Sequence, residues 1–185
     1  SDSILDGGEL FVGIATSAYL MPWNRYFNPK SLYSILDRGI LPRITTAPFS
    51  AEVAGKSMQF KRGTIVIPVA QRDADATITA DEIHQLVNKL VAEDHVQIYA
   101  TNSAHTPSGP DLGGAYQGVL KKPKIALLSG QGTSAYGAGE IWHLMDNRMN
   151  IPVSLLNANN FFIIVLCKGF CNLLKVFVKT SSNLN

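Results

Sequence analysis

Two stretches in the first hundred residues place apolar residues at the spacing of an amphipathic helix. In the clearer one they recur at i, i+3, i+4, i+7 and i+8, as Ile83, Leu86, Val87, Leu90 and Val91. Thr79 and Glu82 precede this run as a capping box, a pair whose side chains accept hydrogen bonds from the backbone at the start of a helix. The pattern predicts a helix that begins directly after Thr79.

The other helix is predicted after residue 27. Asn28 is placed as the N-cap, Pro29 suits the first helical position, and Gly39 stands where a helix would end. The apolar face would be formed by Leu32, Ile35 and Leu36. A third helix is predicted over residues 140–149.

Short β-branched runs lie between these helices. Residues 63–70 form a nearly continuous apolar run, which is typical of a strand buried on both faces of a parallel sheet, and Pro68 would mark the end of its pairing. Further strands are predicted over 43–47, 96–101, 124–129 and 151–156. Strands that alternate with helices predict an α/β fold with βαβ units in open, mostly parallel, flavodoxin-like sheets. The second set supplies two strands, so its sheet is expected to be incomplete.

The same pattern divides the chain into four parts. We expect an N-terminal segment over 1–27, an α/β domain over 28–120, the start of a second α/β domain over 121–157, and an atypical tail over 158–185. Residues 102–118, which are rich in Gly, Ser and Pro, are predicted to form a loop or linker between the two domains.

Charge argues against a nucleic-acid partner. Charged residues are 16% of the chain, and residues 1–157 hold 13 basic and 14 acidic residues, so the main body has no basic excess. The net charge of +2 comes from three lysines of the tail. The two cysteines, also in the tail, indicate neither a disulfide framework nor a metal site.

The tail joins the apolar run 161–167 to a polar stripe at helical spacing, which consists of Lys168, Asn172, Lys175 and Lys179. A hairpin that turns at residues 168–169 is the competing interpretation. A membrane-spanning helix is disfavoured because three lysines within about 20 residues are costly in a bilayer. We expect the tail to pack on its own chain or on a neighbour in a homo-oligomer.

Candidate chemistry lies on the glycine-rich turn after strand 124–129. Its candidate ligand-binding residues are Gly130, Gln131, Gly132, Thr133, Ser134, Gly137 and Gly139. Backbone N–H groups there, together with the following helix N-terminus, could hold an anion. Four residues separate Gly132 from Gly137 where the dinucleotide fingerprint has two, so a purely structural strand-to-helix turn remains the alternative.

A metal site is a further candidate on the third predicted helix. Glu140 and His143 lie on adjacent turns and could chelate a metal, while the alternative is a solvated or hydrogen-bonded helix face. The chain lacks the Gly-x-Ser/Cys-x-Gly elbow of many hydrolases, so catalysis by this chain alone is not expected.

Two segments resemble a known family. Residues 60–68 and 122–146, which include the glycine-rich turn and the phrase Glu140-Ile-Trp-His-Leu-Met-Asp146, resemble the region downstream of the peptidase domain in large bacterial zinc carboxypeptidase-like proteins. The likeness runs from about residue 28 to 156. In that family a secreted carboxypeptidase A-like domain precedes α/β regions, and the last of these is similar to class I glutamine amidotransferases.

The resemblance implies a non-catalytic accessory region of a secreted or periplasmic protein. Zinc and the hydrolysis of C-terminal peptide bonds would belong to the absent peptidase domain, which would be the partner of this chain, and no cofactor is expected here. No catalytic residue transfers, because the amidotransferase cysteine elbow would fall after Leu156, where the tail departs from the family pattern as a truncated or frame-shifted end would. The alternative function is a small-molecule or anion-binding module that uses the turn 130–139.

Overall fold

A computed structural model describes residues 10–11, 13–70, 78–158 and 177–178. The chain divides into two compact units, residues 1–122 and 123–185. The strands of the first unit are β1 (Leu10–Phe11), β2 (Ala18–Met21), β3 (Arg43–Thr45), β4 (Phe49–Val53), β5 (Lys56–Phe60), β6 (Ile65–Pro68), β7 (Ile98–Thr101) and β8 (Gln117–Val119). Its helices are α1 (Asn28–Asp37) and α2 (Ala80–Asp94). Strands β1 and β2 place part of the N-terminal segment in the same sheet as the first predicted domain.

Six of these strands form one sheet in the order β1-β7-β2-β6-β3-β8. Only β1 and β7 pair in parallel, whereas β2, β6, β3 and β8 pair with their neighbours in antiparallel fashion. Helix α1 connects β2 to β3, which flank β6, and helix α2 connects β6 to β7, which flank β2. In each βαβ unit, one strand of the other unit therefore lies between the two strands that the helix connects. This is the split βαβ arrangement of ferredoxin-like folds.

The predicted α/β class is confirmed, but the mostly parallel sheet is wrong for this unit. Strands β6 and β7 do run in the same direction on either side of α2, as predicted. Strand β2 lies between them and pairs antiparallel with both, so β6 is buried without having a parallel neighbour. Burial on both faces gave β6 the apolar run that is typical of a parallel strand, because burial, and not strand direction, sets that pattern.

The helices lie on one face of this sheet. The buried residues of that layer include Tyr19, Met21, Ile35, Ile65, Ile67, Ile83, Leu86, Val87, Leu90 and Ile98. The prediction for α2 is confirmed in detail, since Thr79 accepts a hydrogen bond from the Glu82 N–H and Glu82 accepts one from the Thr79 N–H. Helix α1 is also confirmed, but its N-cap is Phe27, and Asn28 is a buried helical residue that donates to the Pro22 carbonyl oxygen at 2.7 Å.

A buried polar cluster joins the two helices. The Asp94 carboxylate, at the end of α2, accepts a hydrogen bond from the Ser31 hydroxyl at 2.8 Å and lies 2.6 Å from the Lys30 ammonium. Ser31 and Asp94 are buried, so the Ser31 hydroxyl relies on the carboxylate, which is itself satisfied by Ser31 and Lys30 together.

The hairpin β4–β5 covers the opposite face of the sheet. Phe49 and Phe60 stack with ring centroids 5.3 Å apart, and Phe60 meets the ring of Tyr99 edge-on at 5.4 Å. Its turn uses Ala54 and Gly55, both with positive φ, as a type I′ turn requires. Residues 49–60 lie between the predicted strands 43–47 and 63–70, where the sequence analysis places no strand, so this hairpin was missed.

The second unit contains β9 (Ile125–Ser129), α3 (Ala135–Trp142), a π-helical segment (His143–Arg148), β10 (Val153–Asn157) and β11 (Phe177–Val178). Both β10 and β11 pair with β9 in parallel, and α3 crosses from β9 to β10 as predicted. The third helix begins five residues earlier than the prediction of residue 140, because Ser134 caps it by accepting a hydrogen bond from the Gly137 N–H.

The predictions for the tail fall largely outside the described residues. Of residues 159–185, only the backbone of 177–178 is described, as the short strand β11 beside β9. Within the described ranges, no helix combines the length and apolar character needed to cross a membrane.

Candidate anion-binding pocket

A pocket of about 760 Å³ opens on the hairpin side of the large sheet. We call it the sheet pocket. Strands β2, β3, β6 and β8 form its floor, and the loop between β7 and β8 forms a wall. It is lined by Ser17, Ala18, Leu41, Arg43, Val66, Pro68, Ala70, Ala104, Leu112, Gly113, Gln117, Val119 and Lys121. This volume and its mixed apolar and polar lining fall within the range of small-molecule sites.

Arg43 occupies an unusual position on the floor. It pairs with Val66 on β6 and with Val119 on β8, and Val66 pairs in turn with Leu20. Directly paired residues point to the same face of a sheet, so the half-buried Arg43 lies in a cross-strand row whose members Leu20, Val66 and Val119 are apolar. In the part of the chain that the structure describes, the side chain of Arg43 makes no hydrogen bond and no ion pair.

Lys121 and Gln117 flank Arg43 on the neighbouring strand. Gln117 and Val119 share one face of β8, and the ladder continues as the Leu120 N–H donates to the Pro42 carbonyl oxygen at 2.9 Å. Lys121 therefore follows on the same face by the two-residue period of a strand. Like Arg43, Lys121 has no hydrogen-bond or ion-pair partner among the described residues.

Among the described residues that line the sheet pocket, none is Asp or Glu. Two cationic side chains thus face an uncharged lining, and their charges are not neutralised within the described structure. Charge-assisted hydrogen bonds to carboxylate or phosphate are stronger than those between neutral groups, and arginine forms them in pairs. The arrangement is chemically suited to holding an organic anion that also has an apolar part.

The wall of the pocket is a loop with internal hydrogen bonds. The Asp111 carboxylate accepts hydrogen bonds from the Thr106 N–H at 2.7 Å and the Thr106 hydroxyl at 3.3 Å, and it lies 3.0 Å from His105 Nδ1. The Thr106 N–H is the main reason why the pKa of Asp111 is lowered. The loop is tied to the hairpin by the Ser50 N–H, which donates to the Ser108 carbonyl oxygen at 2.8 Å.

The predicted glycine-rich site is divided between a turn and a helix. Gly130 and Gly132 have positive φ in the turn, and Thr133 donates both its N–H and its hydroxyl to the Gly130 carbonyl oxygen. Gly137 and Gly139 lie within α3, where the prediction has a turn. Gln131 is exposed. The Gly137 N–H is one of the backbone groups that the prediction makes available to an anion, but it donates to the Ser134 hydroxyl.

The predicted metal residues do not gather further ligands. Glu140 lies in α3, His143 begins the π-helical segment, and both are exposed. Across the described ranges, no group of three or more His, Cys, Asp or Glu side chains is placed to hold a metal ion. Metal binding at Glu140 and His143 stays a prediction, as does anion binding at the glycine-rich turn.

A scan against family models, a search of curated proteins and a search of solved structures each returned no match.

The sequence patterns did not predict the sheet pocket. Its cationic and amide side chains come from positions 43, 117 and 121, and only the pairing of β3 with β8 brings them together. One local signal was present, since Arg43 alternates with the apolar Ile44 in a predicted strand without a neighbouring acid.

Proposed function

We propose that this chain is a non-catalytic accessory region that binds a small organic anion in the sheet pocket. The proposal depends chiefly on one observation, the half-buried Arg43 in an apolar cross-strand row without a partner among the described residues. A buried or half-buried charge is costly unless it is paired, and a bound anion would supply the pair.

The broader context of the proposal comes from the sequence resemblance. We place the chain in a secreted zinc carboxypeptidase-like protein, beside a peptidase domain that would contain the zinc and hydrolyse C-terminal peptide bonds. The parallel pair β9 and β10 with its helical crossover is consistent with an amidotransferase-like second unit. We expect the chain alone to be inactive: incubation with zinc and C-terminal peptide substrates should give no turnover, and a rate on the order of 1 per second would contradict this.

The sheet pocket is a better anion site than the glycine-rich turn. The pocket has two cationic side chains beside a partly apolar lining, and charged donors bind anions more strongly than neutral ones. At the turn, the hydroxyl of Ser134 already occupies one N–H of the first helical turn.

Calorimetric titration with three ligands of one shape tests the anion site. 4-Methylpentanoate, 4-methylpentan-1-ol and 4-methylpentan-1-amine share an apolar chain and differ in the charge of the head group. We expect the acid to bind at least about 10-fold more tightly than the alcohol, because hydrogen bonds to charged groups contribute about 1.5–3 kcal/mol. The amine should bind most weakly.

Arg43→Met and Arg62→Met are the matched variants. Arg62 is exposed and does not line the pocket, so its replacement controls for the loss of one positive charge. Binding of the acid should weaken at least about 10-fold in Arg43→Met and remain unchanged in Arg62→Met. Equal binding of acid and alcohol, or full binding by Arg43→Met, would overturn the proposal.

A further inference from the structure

The side-chain amide of Gln117 is held at its oxygen by the loop between β7 and β8, and its NH₂ group has no partner among the described residues. The side-chain oxygen Oε1 accepts a hydrogen bond from the Gly113 N–H at 3.0 Å. A backbone N–H can only donate, so the oxygen of the amide faces Gly113 and the orientation of the side chain is determined. The NH₂ group of Gln117 is left as the part that can meet a ligand.

Gln117 and Lys121 lie too far apart along the chain for one small anionic group to contact both residues close to the backbone. The two residues are four positions apart along an extended strand, or roughly 13 Å between their Cα atoms. Arg43 pairs with Val119, midway between them. A carboxylate between Arg43 and Lys121 therefore leaves the NH₂ of Gln117 for a second, neutral acceptor on the same ligand.

The lining also discriminates against cations. Because the lining contains no Asp or Glu among the residues that the structure describes, an ammonium group on the ligand would lie near Arg43 and Lys121 without a counter-charge from them. A free amino acid contains such a group, and acylation of its nitrogen both removes the charge and adds a carbonyl acceptor. Leu41, Leu112 and Val119, which line the pocket and are not fully buried, offer apolar surface for a side chain.

We infer that the sheet pocket prefers N-acylated apolar amino acids, and that Gln117 is the specificity-determining residue that binds the acyl carbonyl. This inference rests on the proposed anion site. The ligand carboxylate would pair with Arg43 and Lys121, its carbonyl oxygen would accept from Gln117 Nε2, and its side chain would contact the apolar floor.

Three ligands that differ only in the substituent at C2 test the preference. 4-Methylpentanoate, leucine and N-acetylleucine have the same carboxylate and branched chain, and they differ in bearing hydrogen, ammonium or acetamide at C2. We expect N-acetylleucine to bind about 2- to 10-fold more tightly than 4-methylpentanoate, which is the effect of one neutral hydrogen bond. Leucine should bind most weakly of the three.

Gln117→Met removes the donor, and Gln59→Met, at an exposed position of β5, is the control. The measured quantity is the ratio of the affinities for N-acetylleucine and 4-methylpentanoate in one variant, because this ratio cancels any general effect on the loop that Gln117 supports. It should fall to about 1 in Gln117→Met and keep its wild-type value in Gln59→Met.

The outcomes separate this inference from the proposed function. If 4-methylpentanoate and N-acetylleucine both fail to bind, the proposed anion site fails and the inference fails with it. If 4-methylpentanoate binds but the ratio is 1 in the wild type, or persists in Gln117→Met, the anion site stands and the role of Gln117 is overturned. Leucine that binds as tightly as N-acetylleucine would likewise overturn the preference.

Discussion

Replacing Arg43 by Met should make the unliganded protein more stable while it removes ligand binding. Arg43 pairs with Val66, which is 1% exposed, and with Val119, so a thioether of similar length would continue an apolar row. Methionine also adapts readily to irregular surroundings. The substitution breaks no hydrogen bond or ion pair of the Arg43 side chain, because the guanidinium has none among the described residues.

The expected gain is modest because Arg43 is only half-buried. Replacing fully buried ionic groups by well-packed apolar ones is neutral or stabilises by about 1–4 kcal/mol, so we expect about 1 kcal/mol here. For a unit of 122 residues, this free energy corresponds to a rise in Tm of about 3–5 °C. The loss of affinity for 4-methylpentanoate should be at least about 10-fold.

Both quantities can be measured on one preparation, by urea unfolding without ligand and by calorimetric titration. Arg62→Met should stay within about 0.5 kcal/mol of the wild type in stability, as surface substitutions usually do, and should bind normally. A less stable Arg43→Met variant would refute the view that Arg43 is maintained at a cost to the fold. Unchanged affinity would refute its role in binding.

Three further predictions concern the framework of the first unit. Ser31→Ala should lower the free energy of unfolding by about 2 kcal/mol in urea, since it removes a hydrogen bond to a buried carboxylate, whereas Ser34→Ala on the same helix should change little. Gly109→Ala should destabilise the protein more than Gly63→Ala. Both glycines have positive φ, but a Cβ at Gly109 would lie 2.7 Å from the carbonyl oxygen of Pro48, whereas a Cβ at Gly63 would have no atom within 4 Å. Equal losses of unfolding free energy would contradict this clash. Glu82→Gln should be less stable than the wild type at pH 7, and the difference should shrink below about pH 4. The N–H of the helix cap lowers the pKa of Glu82, and the stability that results is lost as the pH falls through that lowered pKa. An equal difference in unfolding free energy between variant and wild type at pH 7 and at pH 3 would disprove this.

Local signals predicted the three α-helices and five of the eleven described strands. The capping box at Thr79 fixed the start of α2, and the apolar residues from Ile83 onward formed its buried face, because both depend on neighbours within about two helical turns. The end of β6 at Pro68 was also readable, since proline cannot donate to the ladder.

Pairing between distant segments was not predicted. The type I′ turn of the β4–β5 hairpin uses Ala54-Gly55 where Asn-Gly is the usual signal, so the hairpin was missed. The insertion of β2 between β6 and β7 depends on contacts about 80 residues apart, which no periodicity reports. The sheet pocket was missed for the same reason, because Arg43 and Lys121 meet only through the pairing of β3 with β8.

The two interleaved crossovers bear on the order in which the first unit can form. Neither crossover unit can complete the pairing of its strands on its own. Strand β2 pairs with β7 on one side and with β6 on the other, and β7 ends only at Thr101. The entropic cost of closing these long loops must be met before the central pairing is gained, so we expect slow, cooperative folding dominated by non-local contacts. During synthesis, the central strand β2 would wait for some 80 further residues to emerge before both of its edges are covered.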